Sequence, residues 1–219
     1  MEVNEREIYR YLGFGNTLPD ERTKNMVKES LSELLKVCRP HFFSRTCPLK
    51  LTGDKDIDFS WFQAESLTLH KNLQGCERVI LFAATLGTEV DRLIRRYSKL
   101  EVSRAVIVQA AGAALIEAYC DGENERLRKE YLKEGCYLRP RFSPGYGDFS
   151  LSVQKDLLRA LEAEKRVGIT LTDNYLIIPS KSVTAVIGVG RDKTDCEKHG
   201  CEACQKADCQ YRRIESRGQ

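Results

Sequence analysis

The stretch LRPRFSPGYGDFSLSVQ, residues 138–154, combines a dense proline–glycine segment with the start of a regular apolar pattern. Proline fixes one backbone dihedral and glycine accepts positive φ, so residues 138–147 predict a stiff bend. Apolar residues then recur at helical spacing, which predicts a helix directly after the bend. A plain loop does not need Arg139, Arg141 and Tyr146, so these side chains require a separate explanation.

Three side chains of the bend suit a small ligand. Arg141 offers a bidentate clamp for a carboxylate, and Tyr146 offers a face for stacking or for a cationic centre. Gly145 lets the backbone approach closely enough to donate its amide, while Pro140 and Pro144 stiffen the loop. Two interpretations stay open at this point: a site for a zwitterionic ligand with an adenine ring, or a rigid turn whose arginines are solvated and whose tyrosine packs on the core.

The composition of the whole chain limits its partners. Of 219 residues, 42% are hydrophobic and 31% charged, and 35 basic residues face 32 acidic ones. This balance does not indicate binding to nucleic acid or to a membrane surface. No uninterrupted run of about 18 apolar residues predicts a membrane span. The charged N-terminal sequence MEVNEREIYRYLG does not resemble a signal peptide, so we expect a cytoplasmic protein.

Helical periodicity dominates two parts of the chain. Two helices are predicted within residues 4–38, and a longer one over about 102–132. The first half of the long helix is rich in alanine and the second half is charged, so we expect only the first half to be buried. Thr88 is predicted to cap a further helix, with Asp91 completing an approximate capping box.

Strand patterns occupy much of the remainder. The apolar run RVILFAAT (78–85) predicts a buried strand, and ITL, YLIIP and SVTAVIGVG predict strands near the end. Residues 41–70 look extended and irregular. The sequence therefore predicts one α+β domain over residues 1–190 with its core at 75–190. A polar, cysteine-rich tail follows at 191–219.

The segment RFSPGYGDFSLSVQKDLLRALEAEKRVGITLTDNYLIIPSKSV, residues 141–183, resembles the activation domain of cobalamin-dependent methionine synthase. That family shows Arg-x-Ala/Ser-Pro-Gly-Tyr, a helix, Gly-hydrophobic-x-Leu-Thr and then Pro-x-x-Ser-Val. The corresponding elements here are 141–146, a helix near 154–166, 168–172 and 179–183. The resemblance covers about residues 75–190 of a chain similar to the free-standing form of the domain. It implies a mostly antiparallel twisted sheet flanked by helices.

The resemblance also implies a function. The chain would be the reactivation component of methionine synthase, docking on a chain that carries cobalamin and supporting reductive methylation of its Co(II) form. S-adenosylmethionine would be the bound ligand, and an electron donor such as flavodoxin would be a further partner. In this function the domain positions the ligand and supplies electrostatics, while the cofactor carries out the chemistry. No catalytic residue is therefore predicted.

Ligand contacts implied by the resemblance centre on the bend. Arg141 would clamp the methionine carboxylate, and Tyr146 would pack near the adenosyl group. Ser143 and Gly145 would supply backbone contacts, and Pro144 between them is a further cofactor-binding position of the motif. Glu117 corresponds to a helix glutamate near the ligand's amino group, although a solvated helix carboxylate is an equally good explanation.

One position departs from the family. Ile187 stands where the family's methionine synthases carry a tyrosine that contacts the ligand. This departure leaves a second hypothesis open, in which the protein clamps a corrinoid protein without S-adenosylmethionine chemistry.

The cysteines of the tail form the last candidate site. Cys196, Cys201, Cys204 and Cys209 are spaced x4, x2 and x4, and four thiolates at this spacing could hold Zn or an iron–sulfur cluster. Free thiols or a disulfide are the alternative. A metal-tail redox or nucleic-acid-binding protein is accordingly a third hypothesis. The isolated cysteines are predicted to be free thiols or small buried hydrophobes: Cys38, Cys47, Cys76, Cys120 and Cys136.

Overall fold

The computed structural model describes residues 3–15 and 17–193. The helices in these ranges are α1 (Glu5–Tyr11), α2 (Glu21–Val37), α3 (Leu67–Asn72), α4 (Thr88–Leu100), α5 (Val102–Leu132), α6 (Gln154–Ala160) and α7 (Ala163–Val167). The strands are β1 (His41–Pro48), β2 (Lys50–Thr52), β3 (Asp56–Asp58), β4 (Gln63–Glu65), β5 (Cys76–Thr85), β6 (Tyr137–Leu138), β7 (Thr170–Leu171), β8 (Ile177–Ile178) and β9 (Ser182–Gly190). The candidate metal ligands of the tail lie outside the described residues: Cys196, Cys201, Cys204 and Cys209.

The main sheet has the strand order β1-β5-β9-β6, and every neighbouring pair is antiparallel. Phe82 at the middle of β5 lies opposite Ser44 on one side and Ala185 on the other. Two small antiparallel sheets, β2-β3-β4 and β7-β8, accompany it. The predicted α+β class, with a mostly antiparallel sheet flanked by helices, is confirmed.

One face of the main sheet packs against four helices: α1, α2, α4 and α5. Phe82 and Ile187 from the sheet are buried there with Leu115 of α5 and Ile8 of α1. By length and composition alone, α5 could cross a membrane. Many of its apolar side chains are instead buried in this core, among them Ile107, Val108 and Leu115, whereas Val102 and Val106 are exposed.

The opposite face of the sheet packs against α6, α7 and the small β2-β3-β4 sheet. Phe149, Leu157 and Leu161 are buried there with Phe59. The helix predicted near 154–166 is interrupted, because α6 ends at Ala160 and Glu162 has a φ of 50° before α7 begins.

Two local predictions need correction. The segment 41–70 is extended as predicted, but it is not irregular throughout, since it contains the long strand β1, three short strands and α3. The N-cap of α4 is Gly87 rather than Thr88, and no side chain of the described residues caps this helix. Asp91 does not close a capping box, because its carboxylate accepts the backbone N–H of Ser180 at 2.8 Å and the Ser180 hydroxyl.

The isolated cysteines behave as predicted. All five are free thiols, and only Cys76 is more than slightly exposed. The division into a domain at 1–190 and a tail at 191–219 stays a prediction.

Candidate ligand-binding site

The chain leaves β6 with its two arginines on opposite faces of the main sheet. Arg139 donates its backbone N–H to the Gly188 carbonyl at 2.8 Å, and its side chain is only 3% exposed. The Arg139 guanidinium donates to the Gln74 carbonyl oxygen at 2.9 Å. Arg139 therefore stabilises the fold, and this role explains the first of the two arginines in the bend.

Arg141 faces α5 instead. Phe142 and Val186 exchange backbone hydrogen bonds of 2.9 and 2.8 Å, and continuing that register by one residue places Arg141 opposite Ile187. Opposed residues share a face of the sheet. The Arg141 guanidinium lies 5.7 Å from the centroid of the Phe82 ring, in agreement with this position.

Two carboxylates of α5 hold the Arg141 guanidinium. Its Nη2 lies 3.3 Å from Glu117 Oε2 and 2.7 Å from Asp121 Oδ1. Glu117 and Asp121 are four residues apart, so a helix presents them on one face. The sequence analysis named Glu117 as a candidate site residue but missed Asp121. The four-residue spacing between these two acids on a predicted helix could have indicated Asp121 as well.

The other arm of the Arg141 guanidinium is unsatisfied. Nη1 is buried and has no hydrogen-bond partner among residues 3–15 and 17–193. A buried donor without an acceptor is costly, and such groups in native proteins need an explanation. A ligand carboxylate at Nη1 would supply the missing acceptor, while Glu117 and Asp121 present negative charge to an ammonium group.

Cys120 lies between the two acids in sequence and is fully buried. Burial raises the pKa of its thiol to about 12, an effect that the Arg141 charge only partly opposes. The thiol therefore stays protonated at neutral pH and is not a nucleophile or a metal ligand in this state.

The bend is closed by its own backbone. Gly145 donates its N–H to the Phe149 carbonyl at 2.8 Å, and Tyr146 donates to Ser143 at 3.1 Å. The Gly145 amide expected to meet a ligand is thus already engaged, whereas Gly145 keeps the φ of 87° that glycine favours. Pro144 is buried beneath the bend.

Tyr146 projects from the bend. It is 48% exposed, and its ring packs edge-on against Phe142 with 5.5 Å between centroids. About half of Tyr146 is therefore exposed to solvent within the same motif as Arg141. The alternative of a rigid turn with solvated arginines does not describe this bend, because Arg139 is buried and Arg141 is paired with two acids.

Residues 68–213 match the model for the activation domain of vitamin B12 dependent methionine synthase. The chain belongs to this family. A crystal structure of the MetH reactivation domain bound to AdoHcy has the same fold, with a TM-score of 0.60 and 18% sequence identity. The similarity covers 90% of this chain and 78% of that one. The resemblance stated from the sequence is confirmed.

The Pro-x-x-Ser-Val element of this activation domain has a structural role. Ser182 Oγ lies 2.7 Å from both Thr85 Oγ1 and the Pro179 carbonyl oxygen, which joins the start of β9 to the end of β5. Asp91 holds the preceding Ser180 as described above.

The predicted metal site remains untested. No group of three or more His, Cys, Asp or Glu side chains that could hold a metal occurs in the described part of the activation domain, residues 3–15 and 17–193. The four tail cysteines lie beyond it. The ligand roles of Arg141, Ser143, Pro144, Gly145, Tyr146 and Glu117 also stay predictions.

Proposed function

We propose that this activation domain is the reactivation component of a cobalamin-dependent methionine synthase. It is cytoplasmic, binds S-adenosylmethionine at the Arg141 bend and docks on a chain that carries cobalamin. Membership of the family supports the first part, and the geometry around Arg141 supports the second.

The observation that carries the ligand assignment is the buried Nη1 of Arg141, which has no hydrogen-bond partner within the described residues and lies beside two carboxylates. An amino-acid end has one carboxylate and one ammonium group. The carboxylate suits the free arm of Arg141, and the ammonium suits Glu117, with Asp121 adjacent. Tyr146 supplies an exposed ring for the adenosyl group.

The protein's own residues position the ligand. When bound, cobalamin on the partner chain supplies the cobalt that accepts a methyl group, and an external donor such as flavodoxin supplies the electron. The buried Phe82 ring beneath Arg141 keeps water from one side of the guanidinium, which strengthens its interaction with a carboxylate.

Calorimetric titration with S-adenosylmethionine tests this proposal. Arg141→Met should weaken binding at least about tenfold, since it removes a charged hydrogen-bonding partner. Arg128→Met is the matched control, because Arg128 also pairs with an acid on α5 but lies on the charged second half of the helix. Equal affinities for both variants would contradict the site.

A second candidate function rests on Ile187. Its side chain is fully buried opposite Arg141 and cannot offer the family's tyrosine contact. We therefore keep a corrinoid-protein clamp without ligand as the alternative. The clamp would be favoured if mixing with the cobalamin-carrying chain releases heat but S-adenosylmethionine gives none, whether it is added to the protein alone or to the mixture.

A further inference from the structure

A groove lies on the opposite face of the sheet from Arg141. It has a volume of about 550 Å³ and runs between α6, the first turn of α7 and β7. We call it the α6–α7 groove. Its floor is apolar, formed by Leu158, Ala163 and Ile169, which belong to the second core. A volume of this size is typical of binding clefts.

The rim of the α6–α7 groove carries an excess of positive charge. Lys155, Arg159 and Lys165 line it, and none has an ion-pair partner within the described part of the chain. Glu162 is already bound by two arginines outside the lining, at 3.0 and 3.2 Å. Glu164 is the remaining acid of the lining, so three cations face one carboxylate that has no ion pair within the described residues.

One wall of the groove is a strand edge. Thr172 donates its N–H to the Leu176 carbonyl at 2.9 Å, so that pair is hydrogen-bonded across the β7–β8 hairpin. Hydrogen-bonded and non-hydrogen-bonded pairs alternate in antiparallel strands. The Leu171–Ile177 pair is thus non-hydrogen-bonded, and the N–H and C=O of Leu171 point away from β8. Leu171 lines the groove.

We propose that the α6–α7 groove binds an extended acidic segment of a partner protein by strand addition. The segment pairs with the outward N–H and C=O of Leu171 and places one apolar side chain on the floor. Its carboxylates lie against Lys155, Arg159 and Lys165. Main-chain bonds supply affinity, and the cations select acidic sequences.

This surface is separate from the ligand site. The floor residues belong to the core on the α6–α7 face, whereas Arg141 stacks on Phe82 of the α5 face. An acidic partner could accordingly bind while the Arg141 bend is occupied. The inference does not depend on S-adenosylmethionine binding.

Fluorescence anisotropy with a labelled peptide EELEEV provides the test. The triple variant Lys155→Glu, Arg159→Glu, Lys165→Glu should weaken binding at least about tenfold, because attraction becomes repulsion. A charge-matched control reverses three exposed lysines elsewhere: Lys36→Glu, Lys99→Glu and Lys133→Glu. It should stay within about twofold of the wild type. Unfolding midpoints of both triples show that each variant is folded.

A second peptide, EEPEEV, separates strand addition from charge attraction. Proline removes one backbone donor and the apolar anchor, so this peptide should bind at least about tenfold more weakly. Equal losses in both triple variants, equal binding of the two peptides, or a Kd above about 1 mM for EELEEV would each overturn the proposal. Equal competition by a single-stranded oligonucleotide would show a general anion surface and would also overturn it.

Discussion

The carboxylate of Asp148 lies at the N-terminus of α3, where it accepts a hydrogen bond of 2.6 Å from the Ser66 hydroxyl. It also accepts the backbone N–H of Leu67 at 2.6 Å, the N–H of Thr68 at 3.1 Å and the Thr68 hydroxyl. These donors hold the pKa of Asp148 well below its usual range. The Arg141 bend is therefore fastened to a helix far away in sequence.

Asp148→Asn should lower the free energy of unfolding by about 1 kcal/mol, because the amide accepts fewer and weaker bonds at the helix end. The folded pKa of Asp148 is depressed, so its contribution is present above the unfolded pKa of about 3.9. It is lost as pH falls through the lower folded value. Urea unfolding at pH 7, 5 and 3 measures this directly.

The difference between wild type and Asp148→Asn should be the same at pH 7 and 5 and smaller at pH 3. Asp173→Asn removes an exposed acid for which no such network exists among the described residues, and it should change stability little. A difference that grows on acidification would contradict the linkage argued for Asp148.

Sequence reasoning succeeded where residues act through local pattern. The long α5 follows from its periodicity, and the Arg141 bend follows from its prolines and glycines. It failed where a side chain finds a distant partner. Asp91 has the right spacing for a capping box but bonds Ser180, and Asp148 looks like an ordinary loop acid.

The two arginines of the bend show the same limit. Their spacing cannot reveal that Arg139 and Arg141 lie on opposite faces of the sheet. The register changes between them: Arg139 pairs with Gly188 by continuation of β6, whereas Phe142 pairs with Val186. This irregularity depends on backbone pairing with β9, which no local pattern specifies.

Ile187→Tyr tests the departure from the family. Ile187 is fully buried opposite Arg141, so the larger ring should cost about 1–3 kcal/mol of stability. The added ring would lie opposite Arg141, so S-adenosylmethionine should bind several-fold more tightly, as about 1 kcal/mol of aromatic contact implies. Calorimetry and urea unfolding measure the two effects. The control Ile80→Tyr, on the neighbouring strand, should lose stability without gaining affinity.

Lys181→Met should stabilise the protein at pH 7. The Lys181 side chain is only 7% exposed and would contact any side chain at Gly112 of α5. Burial lowers the pKa of Lys181, while Asp91 partly opposes the shift. The folded state thus disfavours the charged form, and removing the charge should add about 1 kcal/mol.

The sign of the pH dependence follows from that lowered pKa. Because the unfolded chain binds the proton more tightly, wild-type stability should rise as pH approaches the unfolded value of about 10.4. The advantage of Lys181→Met should therefore shrink between pH 7 and 10. Exposed Lys133→Met should show no such trend. An advantage that widens with pH would be inconsistent with a lysine buried in its charged form.

Gly188→Ala should destabilise the protein by about 2 kcal/mol through overpacking. A Cβ at this position would lie 2.7 Å from Cys76 Sγ and 2.9 Å from both Arg139 Cγ and Leu73 Cδ2. Adding Cys76→Ala removes the closest contact, so the double variant should lose less than the sum of the single changes. Gly122→Ala is the control, because no described residue lies within 4 Å of a Cβ added there and alanine favours a helix. That variant should be slightly more stable than wild type. Strictly additive losses for Gly188→Ala and Cys76→Ala in urea unfolding would show that crowding at Cys76 is not the cause.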